Sequence, residues 1–227
     1  AVTLYDENKQ VAVSLKVQDT YEYSKSYRFY AMYFKEDGTY EYLRTDIEDG
    51  DALGVVQIRY DPNIGLIADV PYESEKVLYI HSQINGNRLI KYIAIQTYRY
   101  SDNAEHDERI YNIRLSYAGS DYTVYHDSCN DVNDFVKDPD FPYGTRSDGT
   151  LAVPSGQSYM TFTSIQSGIS GWHGPMYVQP LDRPFRLYQL DEFSVIGQLI
   201  QSSSSMGKTY VGLFDENKEL ALLVVWG

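Results

Sequence analysis

Hydrophobic and polar residues alternate with a period of two along most of this chain. The segments Tyr27–Phe34 and Thr39–Arg44 alternate in this way, and the short acidic turn between them contains glycine, so they predict a hairpin. Lys76–Ser82 and Arg88–Tyr100 flank Asn85-Gly86, a dipeptide typical of tight hairpin turns. We therefore expect a second hairpin at that place.

Later segments repeat the pattern. In Arg109–Tyr117 one predicted face carries Tyr111, Ile113, Leu115 and Tyr117, and the other carries Asn112, Arg114 and Ser116. Further strands are predicted at Leu53–Tyr60, Thr150–Val153, Tyr159–Thr163, Met176–Gln179, Phe185–Leu190, Ser194–Ile200, Thr209–Phe214 and Glu219–Trp226. No window has the i, i+3, i+4, i+7 stripe of an amphipathic helix. Many short strands separated by glycine and proline predict an all-β sandwich or barrel.

A short motif occurs twice. Leu4–Lys9 (LYDENK) returns 209 residues later as Leu213–Lys218 (LFDENK), and each copy precedes an apolar alternating strand, Val11–Val17 or Leu220–Trp226. Either one domain contains two similar hairpins, or the chain is cut from a tandem array whose unit has about that length. In an array, one copy of the strand is surplus and is able to pair with a neighbouring repeat by strand addition.

The start of the chain favours the array. Ala1 is not an initiator methionine, and the residues after it lack the basic and apolar regions of a signal peptide, so we expect excision from a longer protein. One sandwich would then form from residues 1–118, the closing half of one repeat, and residues 121–227, the opening half of the next. The seam, residues 116–142, is rich in Asp, Asn, Ser and Gly.

Composition excludes several classes of partner. The 19 basic and 32 acidic residues give a net charge of −13, which repels nucleic acid and anionic membranes. The longest apolar run, Leu220–Trp226, is too short to span a bilayer, so no membrane insertion is expected. The 23 tyrosines are typical of strands that have one solvent-exposed face. Cys129 is the only cysteine, so no disulfide forms within the chain.

Several short sequences resemble a known family. The opening half of concanavalin A-like (laminin G-like) jelly-roll domains is resembled by Ser147–Val153, Gly171–Tyr177, Arg183–Phe185 and Asp191–Phe193. The closing half is resembled by Gly54–Tyr60, Ile64–Val70 and Arg88–Tyr117. The resemblance implies an antiparallel two-sheet jelly-roll sandwich, here with permuted strand order. Such domains recur in prokaryotic, notably archaeal, cell-surface proteins. Family members commonly bind glycans and often carry a structural calcium.

Trp172, His173 and Tyr177 form the candidate glycan site. An indole, an imidazole and a phenol offer an apolar face for a sugar ring and polar groups at its edge. The alternative is that Trp172 fills the core while the neighbouring glycines shape a turn.

Asp127, Asp131 and Asp134 are the candidate calcium ligands. Hard carboxylate oxygens on a loop suit this ion, although the spacing is not that of an EF-hand. The alternative is a solvated acidic linker without metal.

No catalytic arrangement is recognisable in the sequence. Paired carboxylates at glycosidase spacing, histidines at metal-ligand spacing and a nucleophile elbow are all missing. We therefore expect a non-catalytic extracellular or cell-surface module for adhesion or assembly, even filament formation, whose partners are copies of itself or neighbouring repeats. The alternative is a lectin-like carbohydrate-binding module.

Overall fold

Strands dominate every part of the chain that the computed structural model describes. It describes residues 2–5, 11–15, 27–34, 40–47, 52–70, 73–99, 107–126, 129–138, 148–163, 174–200, 207–216, 218 and 220–226. The strands are β1 Val2–Tyr5, β2 Val11–Leu15, β3 Tyr27–Phe34, β4 Tyr40–Ile47, β5 Ala52–Asp61, β6 Gly65–Val70, β7 Glu73–Ile80, β8 Leu89–Arg99, β9 Asp107–Tyr117, β10 Tyr122–His126, β11 Val136–Lys137, β12 Thr150–Ala152, β13 Thr161–Thr163, β14 Met176–Arg186, β15 Leu190–Ile200, β16 Gly207–Asp215 and β17 Leu220–Trp226. These residues include short 3-10 turns, two of them at His81–Gln83 and Leu187–Gln189, but no α-helix. The prediction of an all-β chain is confirmed.

Two large antiparallel sheets make up the sandwich. The first has seven strands in the order β11-β14-β8-β16-β17-β1-β2, and the second has six in the order β10-β9-β15-β5-β6-β7. Hairpins β3–β4 and β12–β13 form two smaller sheets. Strands from both halves of the chain stand side by side in each large sheet.

The core lies between the inner faces of these sheets. On β5 the inward side chains Val56 and Ile58 are buried, whereas Leu53 and Val55, which precede them on the opposite face, are 56% and 50% exposed. This alternation is what a half-buried strand requires. Among the described side chains that are fully buried, the largest apolar ones are Phe185, Phe193 and Phe214. A single cluster of buried residues joins both large sheets and includes Ala31 of β3, so the apolar faces bury one another.

The prediction of a hairpin at Asn85-Gly86 is wrong. A turn does form there, with the Arg88 amide donating to the Asn85 carbonyl at 3.2 Å. However, β7 is an edge of the six-stranded sheet and β8 lies within the seven-stranded one. The 3-10 turn His81–Gln83 redirects the chain before Asn85 is reached, and Arg88 is fully buried after it. The segment is therefore an arch between sheets.

A second arch lies against the first. The 3-10 turn Leu187–Gln189 carries the chain from β14 in one sheet to β15 in the other. The Leu187 amide donates to the Arg88 carbonyl, and the Tyr188 amide donates to the Gly86 carbonyl, both at 2.9 Å. The backbones of the two arches thus close this end of the sandwich together.

Strand β14 differs from its sequence prediction. The segments predicted as separate strands, Met176–Gln179 and Phe185–Leu190, belong to one strand up to Arg186, and its pairing with β8 is irregular between Pro180 and Phe185. Proline has no amide hydrogen to donate to a ladder, so Pro180 and Pro184 favour this interruption. The irregular segment is displaced from the regular ladder and helps to form a groove described below.

A bulge in β9 overturns one face assignment. Ile110 and Ile113 are both fully buried, because the register with β15 shifts between Ile196 and Gly197. Tyr111 lies at this bulge, half-buried, and its hydroxyl donates to Gln198 Oε1 at 2.7 Å. The prediction that Tyr111 shares the inward face of Ile113 is therefore wrong.

Candidate functional site

The two copies of the repeated motif lie beside each other in the seven-stranded sheet. Hairpin β16–β17 and hairpin β1–β2, here called the repeated hairpins, are joined by antiparallel pairing of β17 with β1, in which Val2 is opposite Leu223. In addition, Leu4 is the parallel partner of Leu213. These are the corresponding leucines of the two motif copies. The strand that follows the second copy therefore pairs within its own sheet, on both of its edges.

The turn of the second copy is anchored to another part of the fold. Lys218 has a positive φ of 63°, a conformation common in tight turns. Its ammonium group lies 3.1 Å from the Asp138 carboxylate, next to strand β11. This ion pair links the C-terminal hairpin to the opposite edge strand of the same sheet.

Tyr177 is the one predicted glycan-site residue within the described part of the chain; Trp172 and His173 lie outside it. The Tyr177 ring contacts Phe162 edge-on, with ring centroids 5.9 Å apart, and Lys137 Nζ lies 5.7 Å from the ring centroid. Its hydroxyl donates to the Gly149 carbonyl at 3.5 Å. Tyr177 thus joins β11, β14 and hairpin β12–β13, and a glycan site at Trp172 stays a prediction.

Two of the three predicted calcium ligands lie within the described residues. Asp131 and Asp134 are exposed on the loop before β11, and Asp127 lies outside the described residues. One Asp131 oxygen accepts a hydrogen bond from the Asn133 amide at 2.8 Å, a local turn that needs no metal. Among the residues with described positions, no three His, Cys, Asp or Glu side chains form a group suited to a metal. Calcium binding stays a prediction.

His126 is a buried titratable residue at the end of β10. Its imidazole is 8% exposed and contacts Phe135, with ring centroids 4.8 Å apart. Within the described ranges neither His126 Nε2 nor Gln179 Oε1, both buried, has a hydrogen-bond partner of good geometry. Burial lowers the pKa of His126, and this outweighs the Gln179 side chain and the carboxylates of Asp134 and Asp131, which raise it.

This burial predicts a loss of stability in mild acid. The folded protein holds His126 neutral, whereas the unfolded chain takes up a proton below about pH 6.5. Because the unfolded state then binds more protons, the contribution of His126 is fully present above about pH 6.5 and is lost as pH falls below it. Urea unfolding measures the free energy of unfolding at about pH 7.5 and at about pH 5. This free energy should fall less between the two pH values for His126→Asn than for the wild type.

The control is Asn130→Ser, at an exposed position near His126 with no titratable group. The free energy of unfolding of this variant should differ between the two pH values by as much as that of the wild type. Equal losses in the wild type and in His126→Asn would contradict a neutral, buried imidazole.

Cys129 is packed beside His126. Its side chain is 1% exposed, and the thiol donates to the His126 carbonyl at 3.1 Å. The residue has a positive φ of 34°. The sulfur thus links Cys129 to the end of β10 from within the core.

A groove of about 280 Å³ opens between the two sheets, along β10 and the irregular segment of β14. We call it the mouth groove. Its lining includes Tyr117, Tyr122, Asp121, Gln179, Asp182 and Arg183. The turn at 118–121 and the irregular pairing of β14 place these side chains at the open side of the sandwich.

Stacked aromatic rings support one wall of the mouth groove. The Tyr117 ring stacks on Phe185 with centroids 4.2 Å apart, and Tyr122 lies 5.5 Å from Tyr117. The Arg183 guanidinium lies 4.4 Å from the Tyr122 centroid, and the Tyr117 hydroxyl donates to the Arg183 carbonyl at 2.8 Å. Burial raises the pKa of Tyr117, so its hydroxyl stays a donor at neutral pH.

Sequence reasoning missed the mouth groove. Its two sides are more than fifty residues apart in the chain, and neither contains a recognisable binding motif. The one local signal was the pair Pro180 and Pro184, which marks an interrupted strand.

No protein-family model matches this chain, and no curated protein is similar to it. The antiparallel sandwich agrees with the concanavalin A-like resemblance, but the family itself remains a prediction. In the described ranges there is no helix of the length and apolar character needed to cross a membrane.

Proposed function

We propose that this protein is a non-catalytic module of the cell surface that assembles with copies of itself through the repeated hairpins. The observation that carries the proposal is the register in which Leu4 and Leu213, equivalent positions of one motif, are partners. The edge of β17 accepts the first strand of a hairpin with the same motif. A strand that fits this edge within one chain also fits it when a second chain supplies it.

Pairing between chains would produce an open, head-to-tail assembly. The β17 edge and the β1 strand are different surfaces, so each added copy presents a new β17 edge to the next. The backbone hydrogen bonds are the same within and between chains, and protein concentration therefore decides which form prevails. A net charge of −13 opposes unspecific association, which leaves edge pairing as the specific contact.

The alternative function is a lectin-like module, which would bind carbohydrate through Trp172, His173 and Tyr177. The contacts of Tyr177 with Phe162 and Lys137 favour a packing role for this ring over a sugar platform. A glycan array tests this alternative: binding that is lost in Trp172→Ala would support it, and no binding would contradict it.

A disulfide placed across β1 and β17 tests exchange between chains. Val2 and Leu223 are Cα partners, so the double variant Val2→Cys, Leu223→Cys should form a bond on oxidation. In dilute solution we expect a bond within each chain. After unfolding and refolding at high concentration, we expect a ladder of disulfide-linked multimers on a non-reducing gel.

The controls use cysteines that are not partners. Val2→Cys with Leu53→Cys, at an exposed position of β5 in the other sheet, should give no ladder, and the single variants should remain monomeric because no cysteine lies opposite theirs. Cys129 is buried and should not take part. A double variant that stays monomeric at every concentration would rule out assembly by this strand.

A further inference from the structure

We propose that Asn85 is a site of spontaneous deamidation in the folded protein. This inference does not depend on assembly through the repeated hairpins or on the mouth groove. It rests on the residue that follows Asn85, on the hydrogen bonds of its turn, and on the access of solvent to that turn.

The residue after Asn85 leaves its backbone nitrogen open to the reaction. Deamidation begins when the nitrogen of the following residue attacks the side-chain carbonyl carbon of asparagine. A side chain on that residue hinders the attack, and Gly86 has none. Each of the other asparagines in the sequence is followed by isoleucine, arginine, alanine, aspartate or lysine. The attack therefore meets the least hindrance at Asn85.

The turn folds the Asn85 side chain toward the nitrogen that attacks it. The Asn87 amide donates to Asn85 Oδ1 at 3.1 Å. This hydrogen bond closes a ring that also contains Asn85 Cγ and the Gly86 nitrogen, as in other turns of this kind. Because the ring keeps the two reacting atoms folded together, part of the entropic cost of the attack is already met.

The same hydrogen bond stabilises the charge that develops during the attack. Negative charge moves onto Asn85 Oδ1 as the new bond forms, and the Asn87 amide already donates to this atom. The Asn87 carbonyl in turn accepts a hydrogen bond from Arg186 Nη1 at 2.6 Å. Strand β14 therefore holds the donor residue in place before the reaction begins.

One contact opposes the reaction without blocking it. The Gly86 amide donates to the Ile84 carbonyl at 3.1 Å, and this bond must break before the nitrogen loses its proton. The loss of one ordinary hydrogen bond slows a reaction by about tenfold or less. Asn85 is half-buried and Asn87 is exposed, so water and hydroxide reach the turn.

The chemistry balances with water as the only co-reactant. A base from solvent removes the Gly86 amide proton, the nitrogen attacks Asn85 Cγ, and the bond from Cγ to Nδ2 breaks as ammonia leaves. The product is a cyclic succinimide. Water then opens the ring, either at Cγ to give aspartate or at the backbone carbonyl carbon to give isoaspartate. The net change takes up water and releases ammonia.

Isoaspartate would alter the contact between the two arches. In this product the chain continues through the former side chain, so the backbone gains a carbon atom before Gly86. The Gly86 carbonyl accepts a hydrogen bond from the Tyr188 amide at 2.9 Å, and the Asn85 carbonyl accepts one from the Arg88 amide at 3.2 Å. Both bonds depend on the normal spacing, so the modified chain should close this end of the sandwich less tightly.

Timed peptide mapping of the full chain by mass spectrometry tests the proposal. The folded protein is incubated at neutral and at mildly alkaline pH, with the chain unfolded in urea as the reference. We expect Asn85 to convert about tenfold faster than any other asparagine in the folded protein. Conversion should be faster at the higher pH, because a base removes the Gly86 proton. Fragmentation of the peptide should identify both aspartate and isoaspartate.

Two variants complete the test. Gly86→Ala places a β-carbon 3.3 Å from Cβ of the exposed Tyr188 side chain, and its methyl group should slow deamidation of Asn85 about tenfold. Asn85→Gln keeps the amide but requires a larger ring, so position 85 should stay unmodified. The proposal fails if Asn85 stays intact in the folded protein, if another asparagine converts faster, or if folded Gly86→Ala reacts at the wild-type rate.

Discussion

Replacing Gly65 with alanine should lower the free energy of unfolding by about 3 kcal/mol or more. Gly65 begins β6 with a φ of 131°, which side chains rarely adopt. A β-carbon there would lie 2.0 Å from the Tyr79 carbonyl oxygen and 2.7 Å from the His81 amide nitrogen. Both are backbone atoms, and the His81 amide already donates to the Ile64 carbonyl at 2.8 Å. Relief of the clash would therefore require β6 and β7 to separate.

Gly119→Ala is the matched control for the backbone effect alone. Gly119 also has a positive φ, 74°, but no atom of the described residues lies within 4 Å of an added β-carbon. Gly119→Ala should lower the free energy of unfolding by about 1 kcal/mol, which is the cost of the left-handed backbone conformation without a clash. Urea unfolding of both variants gives the comparison. Losses of the same size would show that the contact between β6 and β7 is looser than the distances indicate.

Phe185→Ala should cost about 4 kcal/mol, within the range for a large buried aromatic. Phe185 is 2% exposed, belongs to the main core cluster and stacks on Tyr117. Its removal leaves a cavity between the sheets and takes away the support of one wall of the mouth groove. We therefore expect a large fall in the free energy of unfolding.

Two variants calibrate this effect. Phe185→Leu keeps an apolar side chain of similar reach and should lose about 1.5 kcal/mol. Val136→Ala, on the neighbouring strand β11, removes a side chain that is 64% exposed and should change stability by about 0.5 kcal/mol or less. If Phe185→Ala lost no more than Val136→Ala, the ring could not be part of the core. Chemical unfolding monitored by tyrosine fluorescence measures all three.

Alternation along the chain was enough to predict the strands and the sandwich. It records which side of a strand is buried, and Val56, Ile58 and the exposed Leu53 follow it closely. Alternation does not determine which strands pair with each other. Asn85-Gly86 reverses the chain locally, but only the burial of Arg88 and the contacts of Leu187 determine that the next strand joins the other sheet.

Departures from regular pairing explain the other differences. The bulge at Tyr111 and the irregular pairing after Pro180 each depend on a neighbouring strand distant in sequence. The mouth groove depends on the second of these, so a search for motifs could not find it. Leu4 and Leu213, by contrast, are an internal repeat visible in the sequence, and the structure makes them partners.

The position of Cys129 has a consequence for the chemical environment in which this chain can work. A thiol at the surface of a protein that meets other copies of itself would form intermolecular bridges in air. Here the sulfur is shielded by the fold and occupied with a backbone carbonyl, so oxidants reach it poorly. The Cys129 thiol is therefore protected from bridging to other chains in oxygenated surroundings.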